Sequence, residues 1–168
     1  MVEGRLFYVV GASGAGKDRV LEYARAHLGD THPVMFAHRY VTRRAVPRSE
    51  REVALTDAEF ALRKRRGLFV MDWEARGRRY GIGNEINYWL AMGLSVVVKG
   101  SRGYLAQALR AYPDMIVIWV TQADSAVASA AQPATSKPGP VHRIVHISNT
   151  QPLGVAGEQL VAMLVGTE

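Results

Sequence analysis

Two hydrophobic patterns alternate along the chain. Residues 6–10, 94–98 and 115–120 are short, nearly continuous apolar runs, whereas Lys17–Leu28 places Val20, Leu21, Ala24 and Leu28 on one helical stripe. The runs predict strands over 5–10, 94–99 and 115–120. Weaker signals predict short strands over 34–37 and 143–147 and an extended segment over 68–73. Helices are predicted over Lys17–Leu28, 56–66, 84–92 (stopping at Gly93), 102–112 with Ser101 as the cap, and 155–165. Thr56 and Glu59 have the spacing of a capping box. Residues 123–140, with Pro133, Pro138 and Pro140, read as a helix start followed by a loop. Continuous apolar strands between helices predict an α/β fold with a parallel sheet covered on both faces.

The length of 168 residues suits one domain, and 48% hydrophobic residues supply a core. No apolar run approaches the ~20 residues of a bilayer span, and no basic segment precedes an apolar one at the start. The absence of cysteine excludes disulfides, thiolate metal sites and thiol nucleophiles. These features lead us to expect a cytoplasmic protein. A net charge of +6 points to an anionic partner without naming it.

The sharpest chemical signal is Gly11-Ala12-Ser13-Gly14-Ala15-Gly16-Lys17, a G-x-x-x-x-G-K loop between a predicted strand and a predicted helix. Its glycines let successive amides turn inward as a phosphate nest at the helix N-terminus. Lys17 would reach the β- and γ-phosphates. Asp18 stands where Ser or Thr usually contacts magnesium; its carboxylate suits a magnesium ligand or a favourable charge at the helix start.

Twelve of the 21 Lys and Arg residues lie between Arg39 and Arg79. The run Arg63-Lys64-Arg65-Arg66 reads as a solvated helix end, but His38-Arg39-Tyr40-Val41-Thr42-Arg43-Arg44 follows a predicted strand and leads into a polar loop. Arginine forks there suit phosphate oxygens, and the lack of interleaved aromatics favours a phosphate ester over nucleic acid. The five histidines share no metal-ligand spacing. The tryptophans and Met35, Met71, Met92, Met115 and Met163 read as core, with Trp73 at the edge of a substrate cleft as an alternative.

The chain resembles the guanylate-kinase-like P-loop kinases, and among them the ribose 1,5-bisphosphate phosphokinase family of phosphonate breakdown. The likeness rests on residues 11–18 (ending GKD), 38–43 (HRYVTR), 50–60, 73–83 (WEARGRRYGIG), 85–90 (EINYWL) and 99–102 (KGSR), within residues 5–121. It implies a three-layer P-loop kinase fold in one domain over 1–168, with a substrate-binding insertion near 38–83 and a shortened lid near 123–140. It implies ATP and magnesium as cofactors, and transfer of the γ-phosphate to the 1-phosphate of ribose 1,5-bisphosphate, giving 5-phosphoribosyl 1-diphosphate.

By that resemblance Lys17 and Arg43 are catalytic. Gly11 to Asp18 and Asn149 bind nucleotide, Arg39, Arg43, Arg48, Tyr80 and Arg102 bind the sugar phosphate, and Asp18 binds the metal. The partners expected are a phosphorylated sugar and ATP, without a membrane, and a homodimer is left open. A nucleoside monophosphate kinase fits less well: where guanylate kinases carry a guanine-reading Glu, this chain has Met71, with Asp72 pointing to the other face of an extended strand. The family's lid carries several arginines, but residues 123–140 hold only Lys137. A weakly catalytic nucleotide or phosphate binder is therefore the alternative.

Overall fold

A computed structural model describes residues 4–12, 15–42, 51–122, 143–149 and 153–166. The predicted lid at 123–140 lies outside them, as do Ser13, Gly14, Arg43 and Arg48.

Five strands form a parallel sheet: β1 (Leu6–Gly11), β2 (Val34–Phe36), β7 (Ser95–Lys99), β8 (Ile116–Thr121) and β9 (Ile144–Ser148), in the order β2-β7-β1-β8-β9. All four pairings are parallel. Side-chain alternation splits the core into two faces. Phe7 and Val9 of β1 point to one side, where helix α1 (Lys17–Leu28) and helix α5 (Leu153–Val165) pack through Val20, Leu21, Ala24, Ala156 and Leu160. Leu6, Tyr8 and Val10 point to the other, against Ile86 of helix α3 (Glu85–Ala91) and Leu105 and Ala108 of helix α4 (Leu105–Ala111). These are the three layers that the apolar runs predict, on a doubly wound α/β sheet.

A second sheet was only partly visible in the pattern. Strands β3 (Arg39–Thr42), β4 (Glu52–Leu55), β5 (Phe69–Ala75) and β6 (Arg78–Gly83) form it, in the order β4-β3-β6-β5. β3 and β4 are parallel, whereas β6 is antiparallel to β3 and β5. The β5–β6 hairpin closes on two residues, Arg76 and Gly77, at φ 53° and 71°. Two positive φ values give the turn whose twist matches the strands, and Gly77 takes its half without strain. Helix α2 (Asp57–Arg65) backs this sheet with Phe60, whose ring lies 4.7 Å from that of Phe69. Thr56 Oγ1 accepts from the Glu59 amide at 3.1 Å, so the predicted N-cap forms; such a cap contributes about 1 kcal/mol.

Two local expectations are corrected. The segment predicted as one helix from Arg102 starts as a 3-10 turn over Arg102–Tyr104, and the Ser101 side chain makes no cap bond. Met35 and Met92 are exposed rather than core, at 36% and 59%, while Met71 and Met115 are buried. Met92 follows the short helix α3, where only Ile86 is fully buried.

Candidate active site

The loop after β1 ends the central strand of the parallel sheet and opens α1. Space dictates its first glycine: a Cβ at Gly11 would lie 2.4 Å from the Val120 carbonyl oxygen on β8. Conformation dictates its last: Gly16 is the N-cap of α1 at φ 80°, and a Cβ there would meet the Asn149 amide nitrogen at 2.3 Å. The Ala15 amide donates to the Ala12 carbonyl at 3.0 Å, closing a turn within the loop. Asn149, at the end of β9, donates its own amide to Thr121 O at 2.7 Å and its Nδ2 to Ala15 O at 3.1 Å. The predicted nucleotide residue therefore braces the phosphate loop.

Lys17 Nζ donates to Gly11 O at 2.7 Å, folding back over the loop. Burial, reinforced by the charges of Lys99, Arg39 and Arg102 and opposed by Asp18, lowers its pKa from 10.5 to about 8. Lys99, Arg39 and Arg102 thus add positive charge around Lys17, with Asp18 as the anion among them.

Asp18, one residue on, accepts from Lys99 Nζ at 2.5 Å. Burial acts to raise the Asp18 pKa, but the bond and charge of Lys99 with the charges of Arg39 and Lys17 outweigh it and hold the carboxylate below its usual range. The Asp18 side chain is 72% exposed, and that of Lys99 is 21% exposed.

Beside this pair a cleft of about 180 Å³ runs between the two sheets, floored by Phe36, Ala37 and Val97. Three ion pairs ring it: Asp18–Lys99, Arg39–Glu52 at 3.0 Å and Arg51–Glu22 at 2.9 Å. Arg39 and Glu52 are register partners on β3 and β4, so strand pairing itself sets their bond. The Arg39 guanidinium also lies 5.0 Å from the centre of the Tyr80 ring, which stacks on Trp73 at 5.8 Å. Trp73 thus meets Tyr80 beside the cleft residue Arg39 rather than lying in the sealed core.

Arg102 is exposed on the turn after β7. That turn is seated on Tyr8, whose hydroxyl bonds both polar backbone groups of Ser101. A Cβ at Gly100 would lie 1.9 Å from the Tyr8 ring, so the turn passes flat against it. Burial, opposed by the Ser101 hydrogen bond, keeps the Tyr8 phenol protonated.

The structure accordingly brings together Lys17, Asp18, Arg39 and Arg102 as charges, joins Tyr80 to Arg39, and ties Asn149 to the loop. The sequence reading missed Lys99, Arg51, Glu22, Glu52 and Tyr8. Lys99 was visible as the first residue of KGSR; the others carry no local signal. At the position compared with a guanine-reading Glu, Met71 is fully buried in the core, and Asp72 is held by Lys64 at 2.8 Å.

Among the described residues no group of three or more His, Cys, Asp or Glu converges to hold a metal, and no helix is long and apolar enough to cross a membrane. Asp18 offers one largely exposed carboxylate at the mouth of the phosphate loop. That fits a magnesium ion which keeps several waters and takes its other ligands from a nucleotide.

A parallel sheet with a phosphate loop between its central strand and first helix, and a cation-lined cleft alongside, defines a P-loop kinase of guanylate-kinase-like architecture. The guanylate kinase of Anaplasma phagocytophilum shares this fold, with a TM-score of 0.71 over 97% of this chain and 85% of that one, at 12% identity. No protein-family model matches the chain. It is 42% identical over 179 residues to the ribose 1,5-bisphosphate phosphokinase PhnN of Thiobacillus denitrificans, covering 98% of this chain and 94% of that protein. It is 44% identical to the protein of the same name from Laribacter hongkongensis over 96% of its own length, although it spans only 42% of that relative. The chain belongs to the ribose 1,5-bisphosphate phosphokinase family.

Proposed function

We propose that the chain transfers the γ-phosphoryl group of ATP to the 1-phosphate of ribose 1,5-bisphosphate, releasing ADP and 5-phosphoribosyl 1-diphosphate. An oxygen of the acceptor 1-phosphate forms the new P–O bond, and the bond between the γ-phosphorus and the β–γ bridging oxygen breaks. An ionised phosphate needs no base to make it a nucleophile, so catalysis is alignment and neutralisation of two anions. The observation that carries this reading is the convergence of Lys17, Arg39, Lys99 and Arg102 where the phosphate loop meets the cleft.

In this reading the amides of the loop from Gly11 to Gly16 hold the ATP phosphates. Lys17 leaves Gly11 O to bind the transferred group, and Asn149 keeps the loop in shape. Arg39, Tyr80 and Arg102 serve the sugar phosphate, with Arg43 and Arg48 assigned by resemblance. Magnesium would be held by Asp18 and would supply further charge neutralisation. The insertion at 38–83 carries the acceptor, residues 123–140 are the shortened lid, and the substrates are those of the cytoplasm. A binder with little transfer activity is the second reading, favoured by the single basic residue, Lys137, in that lid segment.

Phosphorus NMR with ATP, magnesium and ribose 1,5-bisphosphate, beside a GMP control, tests the proposal. A new diphosphate signal is expected with the sugar alone. Silence with both acceptors despite ATP binding would favour the binder, and a signal with GMP would overturn the acceptor.

A further inference from the structure

Lys99 is costly where it stands. Its side chain is 21% exposed, and its charge shares the cleft wall with the guanidinium groups of Arg39 and Arg51. Its partner is 72% exposed, and a pair with so exposed a member returns little stability. An apolar residue at the end of β7 would continue the buried run Val96, Val97, Val98 without that cost. Stability therefore does not account for a lysine at this position.

Its surroundings do. β7 pairs with β1 so that Lys99 lies in register with Val9, two residues before Gly11, which places it beside the phosphate loop. It also lines the cleft with Arg39 and Arg51. An ammonium has three donors, and the bond to Asp18 takes one. That bond fixes the side chain at the boundary between loop and cleft, where the acceptor phosphate must approach the γ-phosphate. Asp18 pairs with Lys99 and Glu52 with Arg39, and the ammonium's remaining donors suit an entering phosphate.

We infer that Lys99 binds the acceptor phosphate from the cleft side, with Asp18 as the residue that aims it. This rests on the acceptor assigned above and adds a phosphate-binding residue to it. A cation at this strand end attracts a second phosphate, and a sugar bisphosphate, with a phosphate as its nucleophile, is the substrate class that such a charge favours.

The test is equilibrium titration calorimetry on the nucleotide-free protein with ribose 1,5-bisphosphate, and separately with magnesium-free ATP. Lys99→Met is expected to weaken the sugar bisphosphate about tenfold or more, the loss of a charged hydrogen bond, while ATP affinity stays within about threefold. Lys99→Arg, which keeps the charge, is expected to recover most of the loss. Asp18→Asn is expected to weaken the sugar less than Lys99→Met, because the ammonium remains but is no longer aimed. Melting of Lys99→Met at or above the wild-type temperature would place the loss in binding; if that variant fails to fold, Lys99→Gln takes its place.

Wild-type affinity in Lys99→Met, or equal losses for ATP and sugar, would overturn the inference. Failure of the wild type to bind ribose 1,5-bisphosphate would instead overturn the acceptor. The same titrations with inorganic pyrophosphate would then judge Lys99 alone, equal affinity in wild type and Lys99→Met counting against it.

Discussion

The hydroxyl of Tyr8 accepts from the Ser101 amide at 2.9 Å and donates to the Ser101 carbonyl at 2.8 Å. One fully buried side chain on the central strand thus holds both backbone groups of a turn 93 residues away. That turn separates Lys99 from Arg102, so the sheet's interior sets the spacing of two cations at the site. Tyr8→Phe keeps the ring against Gly100 and removes both bonds. It is expected to destabilise the fold by about 1–3 kcal/mol, because the partners lose a hydrogen-bond partner in a partly buried place. Denaturant unfolding reads the loss. Sugar-phosphate KM should rise more than ATP KM, and equal changes would remove Tyr8 from the positioning of Arg102.

The brace between Asn149 and Ala15 yields a second prediction. Asn149→Ala should raise KM for ATP several-fold with little effect on the acceptor, since only the phosphate loop loses its support. Gly16→Ala should be far worse: its Cβ meets the Asn149 amide, and its φ of 80° strains any L side chain. Combining the two substitutions removes the clash but not the strain. The double variant should therefore recover only part of the stability lost in Gly16→Ala, and full recovery in thermal melting would show the strain to be negligible.

Lys17 gives the pH dependence. Its folded pKa, about 8, lies below the 10.5 of an exposed lysine, so between these values the unfolded chain holds more protons. Stability from this group therefore rises with pH across that window, and its full burial cost applies below it. ATP phosphates favour the charged amine, so at about pH 8.5 magnesium-free ATP binding should take up protons. Calorimetry in buffers of different ionisation enthalpy measures the uptake. Lys17→Met should abolish it, and no buffer dependence in the wild type would refute the lowered value.

Lys17→Ala should eliminate turnover, with a loss of about 100-fold or more if one charge-stabilising donor to the transferred group is gone. The fold should persist, because the lysine's observed bond is to its own loop at Gly11 O. Circular dichroism and the phosphorus NMR assay separate the two effects, and substantial remaining turnover would contradict the role given to Lys17.

The parallel sheet and the phosphate loop were legible because their signals are local. A strand buried on both faces is a continuous apolar run, α1 repeats its apolar residues every three or four positions, and the loop's glycines are dictated within seven consecutive residues. The insertion sheet was harder to read. β3 and β4 are four residues each, without a clean apolar run, and their identity depends on pairing with each other and, for β3, with β6. The chain's own period contains no record of those partners.

The site divides along the same line. Composition and order were enough for a cation-rich P-loop kinase, because charge count and the G-x-x-x-x-G-K spacing survive without coordinates. Only the folded chain could pair Asp18 with Lys99 across 81 positions, or carry Asn149 back over 134 to the loop. Such contacts follow from which strands lie adjacent and in what register. That adjacency is fixed by burial of the whole core at once, a property no single segment encodes.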